Sequence, residues 1–126
     1  TQAGLLENLS TSISDFFADL REHNASKNVV MMVFTEFGRR VRDNGNGTDH
    51  GSGGGAFLIG DQVKGGFYAD YPSLDPSSQL SGDLQFNNDF RTLYSTILDD
   101  FFGIAPEEIV NGNFEQFDGI FETAGV

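Results

Sequence analysis

At 126 residues the chain falls in the range of one domain, a size that buries roughly two-thirds of its unfolded surface, and its 38% hydrophobic content with 13 Phe supplies a core and excludes a disordered chain. Nineteen Asp and Glu against seven Lys and Arg give a formal charge of −12, which repels a phosphate backbone, attracts divalent cations and sets nucleic acid aside as a partner. The absence of Cys excludes disulfides, thiolate catalysis and Cys-ligated zinc.

No apolar run approaches the ~20 residues that cross a bilayer, and no charged-then-apolar leader opens the chain. Residue 1 is Thr rather than Met, so the start reads as a processing site or a cut through a longer gene, and a leader upstream stays open.

In chain order, Leu5, Leu6, Leu9, Ile13, Phe16, Phe17 and Leu20 recur at three- and four-residue steps, which predicts a helix packing this stripe against a sheet. Val29 to Phe34 is a continuous apolar run too short for a helix partner, and it reads as a strand buried on both faces. A helix feeding such a strand is half of a parallel βαβ unit, so the fold class is α/β, with helices on the faces of a doubly wound sheet. Thr35 to Gly55 is polar and glycine-rich, with Asn44-Gly45 and Asn46-Gly47 as turn pairs, and reads as a loop leaving the strand's C-terminal end, where such folds place their sites.

Ala56 to Ile59 is a second short strand, stopped by Gly60-Asp61. Lys64 to Gly82 is a meander, and Phe67-Tyr68 with Leu84-Gln85-Phe86 could pair as an antiparallel ribbon around the Pro72 to Ser81 loop. Asn87, Asn88 and Asp89 offer caps to a helical stripe of Phe90, Leu93, Tyr94, Ile97, Leu98, Phe101 and Phe102, with Gly103 placed as a C′ glycine. Pro106-Glu107-Glu108 can begin a further helical turn, and the tail from Asn111 to Val126 must dock to hide Phe114, Phe117, Ile120 and Phe121.

Chemistry concentrates in Thr35-Glu36-Phe37-Gly38-Arg39-Arg40 and Gly47-Thr48-Asp49-His50-Gly51. Carboxylate and imidazole groups are ligands for Zn, Mn or Mg, and Arg offers bidentate donors to a phosphate or sulfate oxyanion. Against this stand plainer readings: a loop Asp-His pair is more often a turn, Glu36 a surface carboxylate, Arg39 and Arg40 salt-bridge partners, and His23 a helix-end imidazole favoured by the dipole. Asp43 to Asp49 is not an EF-hand, because ligand positions fall on Gly45 and Gly47 and no Glu closes the loop. Gly51 to Gly55 precedes a strand and lacks a following Gly-Lys-Ser/Thr, which sets a nucleotide loop aside. No Gly-x-Ser-x-Gly elbow supports a serine hydrolase.

Taken together, VVMMVFTEFGRRVRDNGNGTDHGSGGGAFLIGDQVKGGFYADYPSL and GDLQFNNDFRTLYSTILDDFFG resemble the C-terminal half of a bacterial family, domain of unknown function 1501, whose members look like exported relatives of alkaline phosphatases and sulfatases. The resemblance implies that residues 1–126 are a single unit, the C-terminal part of an alkaline-phosphatase-like sheet with flanking helices. It implies a periplasmic or extracellular location. It places Glu36 at a strand-end metal position, His50 at the later metal-binding His, Asp49 beside it and Arg39 near the anion, with a divalent metal as cofactor; Phe37 replaces an imidazole of the usual motif. The nucleophile and further ligands of that superfamily come from an N-terminal half with no counterpart here, so the expected function is that of a metal-dependent phosphate or sulfate ester hydrolase fragment, inactive alone. The alternative is an exported, non-catalytic binding module on a degenerate scaffold. A truncated sheet would leave an apolar face uncovered, which predicts a dimer or higher oligomer.

Overall fold

A computed structural model describes residues 1–122. The chain is mixed α/β. Its helices are α1 (Gln2–Glu22), α2 (Phe90–Thr96) and α3 (Glu107–Val110); its strands are β1 (Met31–Val33), β2 (Gly38–Asp43), β3 (Thr48–Gly51) and β4 (Phe57–Ile59). The strands form two two-stranded sheets, β1 with β4 and β2 with β3. The chain folds as two compact units, Thr1–Met32 with Leu58–Val63, and Val33–Phe57 with the chain from Lys64 onward.

In the first unit, Thr1 caps α1 through its side-chain oxygen, which accepts from the Gly4 N–H, and His23 closes the other end with Nδ1 2.9 Å from the Asp19 carbonyl. The helix forms where the apolar spacing predicts, but its packing differs from expectation. Phe17 is buried, whereas Leu5, Leu6, Leu9 and Phe16 are exposed, Leu5 by 70%. The stripe is therefore satisfied only near the last turns, where the chain folds back on itself. Arg21 Nε donates to both Asp61 oxygens at 3.1 and 3.3 Å, and this bond, followed by one with Ser26, holds the Asp61 carboxyl below its ordinary range. Gln62 reaches the Lys27 carbonyl. The Val29 to Phe34 run supplies a strand of three residues, half-buried rather than hidden on both faces, and Phe34 is exposed.

In the second unit, Asp89 caps α2 by accepting from the Arg91 N–H at 2.9 Å, and Gly103 takes a positive φ of 64° after the helix, the terminus its sequence signals. Between them the helix widens. Ile97–Phe101 is a π-helical turn, with the Phe102 N–H bonded to the Ile97 carbonyl. Asn87 does not cap; its side chain donates to the Asp70 carbonyl. The ribbon expected between Phe67-Tyr68 and Leu84 to Phe86 is replaced by a tight turn in which Leu80 and Asp83 exchange backbone bonds at 3.0 Å, with Ser81 and Gly82 at positive φ. Pro106-Glu107-Glu108 does begin α3.

The tail docks as its aromatics require. Ile120 and Phe121 are buried, the Lys64 N–H donates to the Ile120 carbonyl at 2.7 Å, and Phe121 lies 5.6 Å from Phe101. The last four residues of the predicted tail, 123–126, lie outside the described residues. The join between helix and tail runs through Thr96, fully buried, whose hydroxyl donates to the Thr92 carbonyl at 2.8 Å and accepts from the Phe117 N–H at 2.9 Å. Arg91 sits 4.1 Å above the Phe114 ring while chelating Asp89. Partial desolvation at the surface, then the charges of Asp99 and Asp118, raises the Asp100 carboxyl above its ordinary value.

Both joints can be tested by substitution. Thr96→Val keeps the shape but leaves the Phe117 N–H without its acceptor, so chemical denaturation should show a loss of about 1–3 kcal/mol, while Thr96→Ser stays near wild type. Asp89, held down to about 2 from 3.8 by the Arg91 side chain and then its N–H, stabilises the fold fully above the unfolded value. That contribution falls away as pH drops from about 4 to about 2, and Asp89→Asn should remove this part of the acid dependence of Tm.

Candidate functional site

The segment from Thr35 to Gly55, expected to be a loop, folds as an antiparallel hairpin with Gly38 opposite Gly51, Arg39 opposite His50 and Asp43 opposite Thr48. The turn pairs do what their types allow. Gly45 and Gly47 take positive φ of 94° and 136°, the Asp43 carboxylate accepts from the Gly45 N–H at 2.6 Å, and the Asn44 N–H donates to the Gly47 carbonyl at 2.8 Å. A register irregularity lies between Arg39 and Asp43, the kind of bulge that re-aims side chains.

The start of the hairpin is pinned by a backbone approach. Gly38 and Gly53 are buried, and the Arg39 N–H donates to the Gly53 carbonyl at 3.3 Å. A Cβ on Gly38 would collide with that carbonyl. Gly53 in turn faces Leu84, where a Cβ would come within 2.5 Å of the Leu84 Cβ. Ser52 ties the returning strand to the turn beside it: its N–H donates to both Asp83 oxygens at 3.1 and 3.2 Å, and its hydroxyl to the Leu84 carbonyl at 2.7 Å. Sequence reasoning missed Asp83; its one signal was the Ser81-Gly82-Asp83 turn.

Of the residues singled out in the sequence, Arg39 and His50 are brought together as a cross-strand pair. Phe37 joins them. Its ring stacks on the His50 imidazole, centroids 3.5 Å apart and planes at 15°, and the Arg39 guanidinium carbon lies 5.2 Å from the Phe37 centroid. Arg39 Nη1 also donates to the Thr48 carbonyl at 2.7 Å. The residue that stands where an imidazole was expected thus covers one face of the imidazole that remains. Asp49 is exposed, and one of its oxygens accepts from Asn44 Nδ2 at 2.7 Å. Glu36 is exposed in the bend before β2, where the Thr35 hydroxyl donates to the Phe37 carbonyl at 2.7 Å.

Among the described residues no three His, Cys, Asp or Glu side chains converge as a metal-ligand set. Glu36, Asp49 and His50 do not form such a set, and a zinc site takes at least three protein donors on one point. What the hairpin does offer is donors for an oxyanion. Arg39 has N–H groups beyond the one spent on Thr48, and His50 presents an exposed imidazole beside it.

These features define the chain as a mixed α/β protein bearing an arginine- and histidine-lined hairpin. It belongs to the family described as protein of unknown function (DUF1501), whose profile matches residues 1–110. Comparison with curated proteins and with solved structures gave no match. Among the described residues no helix is long and apolar enough to cross a membrane.

The stack has a direct spectroscopic reading. In wild-type protein the His50 ring protons should resonate upfield of a free imidazole because they sit over the Phe37 face. In Phe37→Ala they should return to free-imidazole positions, and unchanged shifts would disprove the stack.

Proposed function

We propose that the chain is part of a sulfatase- or phosphatase-like hydrolase, belonging to an alkaline-phosphatase-like sheet, and that it supplies oxyanion contacts without being active alone. The observation that carries this reading is the pairing of Arg39 with His50 on adjacent strands, which sets an arginine opposite a histidine, a combination suited to a tetrahedral ester anion. The motif order TEFGRR then TDHG supports descent from that superfamily. A divalent metal, Zn, Mn or Mg, would require donors from outside the described residues alongside Asp49, His50 and Glu36. An exported location belongs to the same reading.

A second reading is favoured by one observation. Phe37 occupies a face of His50, and an imidazole covered in this way suits a binding surface on a scaffold whose chemistry has been lost.

Hydrolysis of p-nitrophenyl phosphate and p-nitrophenyl sulfate by the complete gene product, with each metal in turn, separates the two. Under the hydrolase reading Arg39→Ala and His50→Ala each lower kcat/KM by about 100-fold or more. Activity that is absent in wild type, or indifferent to both substitutions, favours the binding module. Calorimetry of the chain by itself should show no stoichiometric binding of zinc, manganese or magnesium. Tight 1:1 binding lost in His50→Ala would overturn the claim that it holds no complete site.

A further inference from the structure

An asparagine followed by glycine is prone to react with itself, because the next backbone nitrogen can attack the side-chain carboxamide and glycine puts no Cβ in the way. The chain carries three such pairs, Asn44-Gly45, Asn46-Gly47 and Asn111-Gly112, and the fold restrains them unequally. At the first, both reacting groups are engaged: Asn44 Nδ2 donates to Asp49, Asn44 Oδ1 accepts from the Asn46 N–H at 3.0 Å, and the Gly45 N–H donates to Asp43. At the third, the Gly112 N–H donates to the Glu107 carbonyl at 2.9 Å, and a Cβ on Gly112 would meet the Phe114 ring at 3.2 Å. The second pair is unrestrained. Among the described residues neither the Asn46 carboxamide nor the Gly47 N–H has a hydrogen-bond partner. Both residues are exposed, and Gly47, at a φ of 136°, has open space where a Cβ would stand.

We infer that Asn46 is a site of self-modification, converting to aspartate and isoaspartate ahead of Asn44 and Asn111. The Gly47 backbone nitrogen loses its proton and bonds to the Asn46 Cγ; the Cγ–Nδ2 bond breaks, and Nδ2 leaves with that proton as ammonia. Water then opens the cyclic imide. Addition at Cγ gives aspartate, and addition at the main-chain carbonyl leaves Gly47 attached through Cγ, which is isoaspartate. No oxidant or enzyme is required. At Asn44 and Asn111 the same closure must first break the bonds that hold the attacking nitrogen, and at Asn44 those that hold the carboxamide as well. The products act on the turn. Isoaspartate adds a methylene to the main chain inside the loop that the Asn44 N–H to Gly47 carbonyl bond closes, and either product adds a negative charge to the hairpin that carries Arg39 and His50. The inference concerns the hairpin's tip and does not depend on the oxyanion reading above.

The test is to age the complete protein in mildly alkaline buffer, with and without urea, and to follow each asparagine by peptide mapping with fragmentation in the mass spectrometer. Labelling by an isoaspartyl methyltransferase reports the isoaspartate product. In the folded protein Asn46 should convert about tenfold or more faster than Asn44 or Asn111. In urea the three rates should converge, because the bonds restraining the other two are gone. Asn46→Gln should remove most of the labelling of the folded protein, whereas Asn111→Gln should leave it as in wild type. The inference is overturned if Asn44 or Asn111 keeps pace with Asn46 in the folded protein, or if labelling survives Asn46→Gln. It is equally overturned if the same order persists in urea, which would assign the preference to sequence and not to the fold.

Discussion

The close passage of Gly38 beneath the Gly53 carbonyl governs the geometry of the hairpin. Two buried glycines permit two backbones to approach without an intervening side chain, and the Arg39 N–H bond to Gly53 locks the approach. Strand β2 is thereby held at a fixed height against the returning chain, so that Arg39 faces His50 and Phe37 lies flat on the imidazole. Asp83 braces the same return from the far side through Ser52. Close backbone contact and a carboxylate on an amide position these side chains relative to one another.

The second unit stabilises its interior by a different logic. Its helix α2 and its tail meet through hydroxyl chemistry, Thr96 joining Thr92 to Phe117, with Ser95 buried beside it, and the large apolar residues Ile97, Val110, Ile120 and Phe121 close around that polar seam. The cost of burying polar atoms is met where bonds form. The Ser95 hydroxyl finds no partner. Widening of the helix at Ile97–Phe101 accompanies the acids Asp99 and Asp100, which are kept at the surface.

What could be read in the sequence was local. The stripe from Leu5 to Leu20, the Asp89 cap with Gly103, and the turn pairs at 44–47 each encode their element through neighbours a few residues away, and each element formed, with the stripe left largely exposed and the second helix widened at Ile97–Phe101. The hairpin of β2 and β3 was hidden because its strands carry Arg, Asp and Gly where alternation of apolar and polar residues would have announced them. The burial of β1 was overstated because an apolar run reveals preference and not the presence of a covering layer. For the site, the two motifs were legible as residue types, whereas the register that sets Arg39 opposite His50, Asp83 and the flat contact of Phe37 depend on tertiary placement that no spacing encodes. Family membership was legible from the motifs themselves and extends over residues 1–110.

The long first helix has a consequence for how the molecule unfolds. Short isolated helices are marginal in water, and most helical stability in proteins comes from packing. Across the 21 residues of α1 only Phe17 is buried. Its N-terminal turns are therefore held by the Thr1 cap and intrinsic propensity, while the turns around Phe17 and Arg21 share in the cooperative core. Within this helix, protection from amide exchange should therefore concentrate on the turns around Phe17 and Arg21 rather than on those around the exposed Leu5 and Leu9.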